Sequence, residues 1–399
     1  MSNSTAKTAG ANHFALSERL SKLPPYLFAA IDRMKREAQA RGVDIIDLGV
    51  GDPDQPTPGH IVAKLQEACA DPRYHRYPSY EGMIEFREAV ARWYQRRFGV
   101  TLDPAKEVVS LIGSKEGIAH LPLAFVNPGD LALVTDPGYP VYAIATLFAG
   151  GESISVPLRA ERGYLPDFDS LPEEDLARAR ILFLNYPNNP TSATADVAFY
   201  TRVAEVAARH GIIVAADSPY SEITYDGYTA PSFLEAPGAR EVGIEFHSLS
   251  KTYNMTGWRC GFAVGNAELI AGLGKIKTNV DSGIFEAIQV AGIEALDGDQ
   301  SCLDAMRKIY AERRDVFIAG LRKAGMNVEA PKATFYVWAP IPEGYTSAGF
   351  AGHLLDKMGI VATPGNGFGP AGEGYIRFSM TVDKERLAEA ASRIQKTGF

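Results

Sequence analysis

Short apolar runs alternate with segments of helical period from about residue 105 to residue 265, and no other feature narrows the possible folds as far. The runs are "VVSLIG" (108–113), "LALVTD" (131–136), "ILFLNY" (181–186), "IIVAAD" (212–217) and "GFAVGN" (261–266), each the length of a buried strand. Between them lie stretches such as "DVAFYTRVAEVAARHG", whose apolar residues recur at helical spacing and which Gly211 closes. Such alternation predicts an α/β fold with a largely parallel sheet flanked by helices. Ligands of these sheets bind beyond the carboxyl ends of the strands. Five successive ends here carry polar or aromatic groups: "SKEG" after 113, "PGYPVY" after 136, "PNNPTS" after 186, "SPYSE" after 217 and "HSLSK" after Phe246. All five are expected to face one crevice.

The flanks differ in character. "LPPYLFAAIDRMKREAQARG" reads as a helix opened by Pro24 and Pro25, leading into "DIIDLGVGDPDQPTP", a strand followed by a Pro/Gly-rich loop. Towards the other end, "ATFYVWAPI" and "YIRFSM" look like strands among amphipathic helices, which predicts a smaller α+β domain. The expected division is a flexible tail over 1–12, an N-terminal segment over 13–55 packing on the small domain, a large domain over 56–295 and the small domain over 296–399. A chain of 399 residues that is 46% hydrophobic and 22% charged can build more than one core and is not a disordered or fibrous protein.

A net charge of -8 and the absence of a basic stripe make nucleic acid an unexpected partner. Cys69, Cys260 and Cys302 lie far apart with no CxxC pair, which indicates neither a disulfide framework nor a metal site, and suits a reducing compartment. No apolar run of about eighteen residues suggests a membrane span, so a soluble cytoplasmic protein is expected. The seven histidines are scattered; His247 and His120 read as packed side chains.

The strand ends suggest a chemistry. Asp217, closing "IIVAAD", can cap a helix or hold a proton on a heteroaromatic nitrogen, the ion pair that turns a pyridinium ring into an electron sink. Lys251, screened at a strand end, can form a Schiff base with an aldehyde cofactor. Ser248, Ser250 and Arg259 supply the hydrogen-bond donors and fixed charge that a phosphate needs, with Ser114, Lys115 and the helix they open as a further anchor. Tyr139 offers a flat face for a ring.

"NYPNNPTS", "ADSPY" and "SLSKTYNMTGWRCGFAVGN", in this order and spacing, resemble the class I/II aminotransferases of pyridoxal phosphate fold type I, over nearly the whole chain. Within them, "RLSKLPPYLFAAIDRMKREA" joined to "SLSKTYNMTGWR" is most similar to LL-diaminopimelate aminotransferase-like members. The resemblance implies pyridoxal 5'-phosphate (PLP) as cofactor and transfer of an amino group from an L-amino acid to a 2-oxo acid. Carried onto this chain, it makes Lys251 the covalent anchor and proton shuttle, and pairs Asp217 with the pyridine nitrogen. Tyr220 and Asn189 would hold the ring 3-oxygen, while Ser114, Lys115, Ser248, Ser250 and Arg259 would hold the phosphate. Tyr77 would reach that phosphate from the neighbouring subunit of a homodimer. Arg377 would grip the substrate α-carboxylate, with the backbone of Gly51 against it and Tyr26 lining the side-chain pocket.

Two departures bear on the substrate. Members acting on aspartate bind its distal carboxylate with a partner-subunit arginine from the segment after the phosphate arginine; here "LGKIKTNVDSG" offers Lys275 and Lys277 instead. The phosphate loop "GSKEG" also differs from that of plant-type diaminopimelate enzymes. An aspartate, alanine or aromatic aminotransferase, or a lyase on the same fold, would share the cofactor residues. A transcriptional sensor would need a DNA-binding module ahead of a match that starts within about the first twenty-five residues.

Overall fold

The computed structural model describes residue 14, residues 16–23 and residues 27–398, without the side chains of 27–32. The tail expected over 1–12, the helix-opening Pro24 and Pro25, and the pocket residue Tyr26 lie outside the described residues.

Among the described residues, twelve strands lie in three sheets. In chain order they are β1 (Ile46–Asp47), β2 (Val108–Leu111), β3 (Leu131–Asp136), β4 (Glu152–Pro157), β5 (Ala179–Asn185), β6 (Ile213–Asp217), β7 (Gly243–Ser248), β8 (Gly261–Gly265), β9 (Tyr336–Pro340), β10 (Ile360–Val361), β11 (Thr363–Pro364) and β12 (Tyr375–Ser379). The large sheet has the order β2-β8-β7-β6-β5-β3-β4. β8 runs antiparallel to both its neighbours, and the remaining pairs are parallel. Strands β2, β3, β5, β6 and β7 therefore all end on the same edge, the one the sequence singles out. Their residues are buried on both faces, as helix-covered parallel strands are.

The local signals operate as the residue types dictate. The helix Val197–His210 begins where Asp196 accepts a hydrogen bond from Phe199 N at 2.7 Å. It ends where Gly211 takes the left-handed conformation at φ 68. β4 carried no signal: as the edge strand beside β3 it is partly exposed, and its "ESISVP" lacks a continuous apolar run. The glycine-rich "GNGFGP" forms a short 3-10 turn over Gly365–Phe368 rather than the opening of a nucleotide-binding helix.

The N-terminal and C-terminal segments meet. β1 pairs with β10 in parallel, Ile46 opposite Ile360, while β12 lies between β11 and β9. The loop after β1 then spans the gap to the large sheet. Asp54 in it takes both guanidinium nitrogens of Arg313 at 2.6 Å, and Thr57 Oγ1 donates to Asn254 O at 2.7 Å. This strap carries Gly51 past the ends of β6 and β7.

Candidate active site

The strand ends and the strap enclose a cleft of about 490 Å³. Ser114, Lys115, Tyr139, Asn189, Asp217, Tyr220, Ser248, Ser250, Lys251, Arg259, Gly51 and Arg377 all line it, which brings together every site residue expected from the sequence except two. Tyr26 is outside the described residues. Tyr77 is 90% exposed and lies away from the cleft of its own chain.

β7 delivers the lysine. Its last residue, Ser248, accepts from Ser250 N at 3.2 Å and so opens the single turn Leu249–Thr252. Lys251 Nζ then projects into the cleft and donates to Gly51 O at 2.7 Å. Burial lowers the Lys251 pKa to about 8; Asp52 opposes the shift, and the Arg259 and Arg377 charges add to it. The chain can place a carbonyl here only because residue 51 is glycine, since a Cβ would sit 2.0 Å from Tyr336 Oη.

Asp217 faces the opposite wall. It caps no helix: Tyr142 Oη donates to its Oδ2 at 2.8 Å, and Asn185 Nδ2 holds its main-chain carbonyl at 2.6 Å. Oδ1 is buried with no partner among the described residues. Burial raises the Asp217 pKa to about 7, with the Tyr142 hydrogen bond pulling the other way. A buried carboxylate with one unmatched oxygen is an acceptor waiting for a donor, and a protonated ring nitrogen is such a donor.

The phosphate-type residues form a second cluster. Ser114 is the first residue of the helix Ser114–Phe125, whose leading amides open towards the cleft. Arg259, left-handed at φ 56, donates to Thr256 O at 3.0 Å and to Ile112 O at 3.4 Å, and among the described residues no carboxylate pairs with it. Its guanidinium lies against Gly113, where an added Cβ would come within 2.4 Å of Nη2. Ser250 Oγ is buried and has no partner among the described residues.

Arg377 is 2% exposed. It donates to Asn189 Oδ1 at 2.7 Å and Gly49 O at 2.6 Å, and lies over the Tyr336 ring at 4.3 Å and the Phe368 ring at 4.7 Å. Its Nε has no partner and, among the described residues, no carboxylate is paired with it. Burial lowers its pKa. An isolated buried cation of this kind needs an anion, and the planar fork suits a carboxylate.

Sequence reasoning missed Tyr142, Asn185 and Tyr336. Tyr142 lies in "PGYPVY" and Asn185 is the last residue of β5, so both were within reach of the strand-end rule. Tyr336 sits on β9, and its bond to Tyr220 Oη at 3.0 Å depends on how the two sheets meet. Lys277 is 0% exposed and held in ion pairs with Glu116 and Asp281, so its ammonium is already matched within its own chain. His247 packs in the core against Glu245. His120 is half-buried and meets Glu116 at 2.9 Å.

The residues present fit PLP: an unmatched acceptor for its ring nitrogen, an amine for its aldehyde, and a serine–arginine cradle with a helix N-terminus for its phosphate. The model of the family "Aminotransferase class I and II" matches residues 43–394. The LL-diaminopimelate aminotransferase of Syntrophobacter fumaroxidans is 60% identical over 97% of this chain and 100% of its own length. That of Moorella thermoacetica is 57% identical over 95% of this chain and 97% of its own. Among solved structures, substrate-bound BacF from Bacillus subtilis superimposes with a TM-score of 0.93 at 41% identity, covering 96% of this chain and 98% of that one. A Thermus thermophilus aspartate aminotransferase mutant gives 0.89 at 28% identity, covering 96% and 100%. With its cleft and its full-length relatives in agreement, the chain belongs to the class I and II aminotransferases and is a PLP-dependent, fold type I transaminase.

Proposed function

We propose that this aminotransferase takes its amino group from LL-diaminopimelate and passes it to 2-oxoglutarate. The observation that carries the substrate is the identity of 55–60% to proteins of that name across nearly the whole chain, far above the 28% shared with the aspartate enzyme.

Bound in the cleft, PLP supplies an aldehyde that takes up the amino group and a cationic ring that draws off the electron pair left at the donor Cα. The chain's residues do the rest. Lys251 Nζ would anchor the cofactor, and as a free amine it would take the proton from the donor Cα and return one to the acceptor Cα. The shift of its pKa to about 8 keeps a useful fraction neutral near pH 7. Asp217 keeps a proton on the ring nitrogen, with Tyr142 and Asn185 holding the carboxyl in place. Tyr220 and Asn189 hold the ring 3-oxygen. Ser114, Lys115, Ser248, Ser250 and Arg259 would bind the phosphate, and Tyr139 would lie against the ring. Arg377 would fix the α-carboxylate beside Gly51, on the side of the cleft where Lys251 Nζ meets the Gly51 carbonyl.

The active unit is read as a homodimer in the cytoplasm, with Tyr77 completing the partner's phosphate site. The 90% exposure of Tyr77, close to Phe285 at 40%, supports this reading. Residues 56–295 are taken as the cofactor domain, and 13–55 with 296–399 as the unit that covers it, which the β1–β10 pairing supports. The test is glutamate formation from 2-oxoglutarate with LL-diaminopimelate, aspartate, alanine or phenylalanine as donor. Turnover with any of the last three and none with LL-diaminopimelate would sink the substrate assignment.

A further inference from the structure

Behind the phosphate cluster lies a group of charges that the reaction does not use. Lys277, on the helix Ala267–Val280, is 0% exposed, yet its ammonium is fully matched. It donates to Glu116 Oε2 at 3.1 Å and to the Asp281 carboxylate at 3.2 and 3.3 Å. Glu116 sits in the first turn of the helix that Ser114 opens, and the same Oε2 accepts from Ile112 N at 2.9 Å. The carbonyl of Ile112 in turn accepts from Arg259 Nη2. Residue 112 is thus held at its amide by Glu116 and at its carbonyl by Arg259, with Gly113 between the turn and the guanidinium. At the other end Asp281 Oδ1 accepts from Gly283 N at 2.8 Å. Glu116, His120 and Asp281 bring ligand-type atoms within 4.8 Å of one another, but the Lys277 ammonium already supplies the positive charge between the two carboxylates. The group is an ion-pair joint and not a metal centre.

We propose that Lys277 is a positioning residue for cofactor phosphate: through Glu116 it holds the 112–114 turn and the helix N-terminus in the register that a phosphoester requires. This rests on the reading of that turn as the phosphate site. Without the ammonium, the partly buried Glu116 and Asp281 become unpaired like charges, and Glu116 turns outward to find water, taking with it the acceptor of Ile112 N. The helix amides and Arg259 then lose their common aim. Asp217 and Lys251, which would meet the ring and the aldehyde, bond to Tyr142, Asn185 and Gly51 and not to this joint.

That separation defines the test. Equilibrium binding to apoenzyme, followed by near-visible absorbance, is compared for PLP and for pyridoxal, which lacks only the phosphate. Wild-type protein is expected to prefer PLP. Lys277→Met is expected to lose about tenfold or more in PLP affinity with pyridoxal affinity held within about twofold. Glu116→Gln, which keeps an acceptor for Ile112 N, is expected to show the same selectivity at smaller size. Equal losses for both ligands, or none for either, would overturn the proposal while leaving the phosphate site intact. Should Lys277→Met fail to fold, Lys277→Gln removes the same charge while keeping a hydrogen-bond donor to Glu116 and Asp281, and is read by the same ratio. A wild-type protein that binds PLP and pyridoxal equally would overturn the phosphate-site reading itself.

Discussion

Arg377 Nη1 donates to Asn189 Oδ1 at 2.7 Å, and this bond ties the central strand of the C-terminal sheet to the loop leaving β5. Among the described residues the guanidinium is otherwise held only by one carbonyl, a hydroxyl and ring faces, so its charge awaits a carboxylate. Arg377→Met should lower kcat/KM for the amino donor by about 10²-fold or more, since one partner of a buried charge-assisted pair is lost. Arg377→Lys should recover little, because a point charge cannot replace the fork. The cofactor absorbance should persist in both variants. Loss of that absorbance would place Arg377 in cofactor binding instead.

Asp217 makes cofactor-free protein less stable as pH rises. Its folded pKa, about 7, lies above the ordinary 3.8, so the folded state binds the extra proton between these values. The contribution is fully present below about pH 4 and is lost as pH climbs through about 7. Apo Asp217→Asn should therefore melt above apo wild type at neutral pH, and the two should converge near pH 4. Thermal melts across this range check it; a difference independent of pH would contradict the shift.

Lys251 has a lowered pKa of about 8, so the neutral amine accumulates well below the pH at which an exposed lysine loses its proton. The rate at which apoenzyme captures PLP should rise with pH and level off above about 8. Stopped-flow absorbance checks this. A rate still climbing at pH 10 would show an ordinary solvated lysine.

Much of this site could be read from the chain because a parallel strand's end is a fixed place. "IIVAAD", "ILFLNY" and "HSLSK" each terminate on one edge of one sheet, so Asp217, Asn189 and Lys251 were bound to converge. What stayed hidden depends on long-range packing. The reversed direction of β8 leaves no mark on its apolar pattern. Tyr336 reaches Tyr220 only after β9 docks across the cleft, and Tyr142 was hidden behind Tyr139 in the same hexapeptide. The ion pairs of Lys277 were hidden too, because nothing in "LGKIKTNVDSG" shows that Glu116 waits for it from a helix far back in the chain.

Tyr77 gives a test of the shared site. Lys251→Ala and Tyr77→Ala proteins, each weak alone, should regain activity when mixed and exchanged. Random pairing yields about a quarter of sites carrying both native side chains. Activity that stays at the sum of the two separate variants would place Tyr77 in its own subunit's chemistry or in none.

The central claim is that Lys251 carries the cofactor for an amino-acid half-reaction. It is tested most directly by single-turnover absorbance of the holoenzyme with LL-diaminopimelate and no oxo acid, beside Lys251→Ala. The account predicts that the near-visible band of the lysine-bound cofactor bleaches in wild type, returns on adding 2-oxoglutarate, and shows no such cycle in the variant. A band that survives every amino donor, or a Lys251→Ala protein that cycles like wild type, would contradict it.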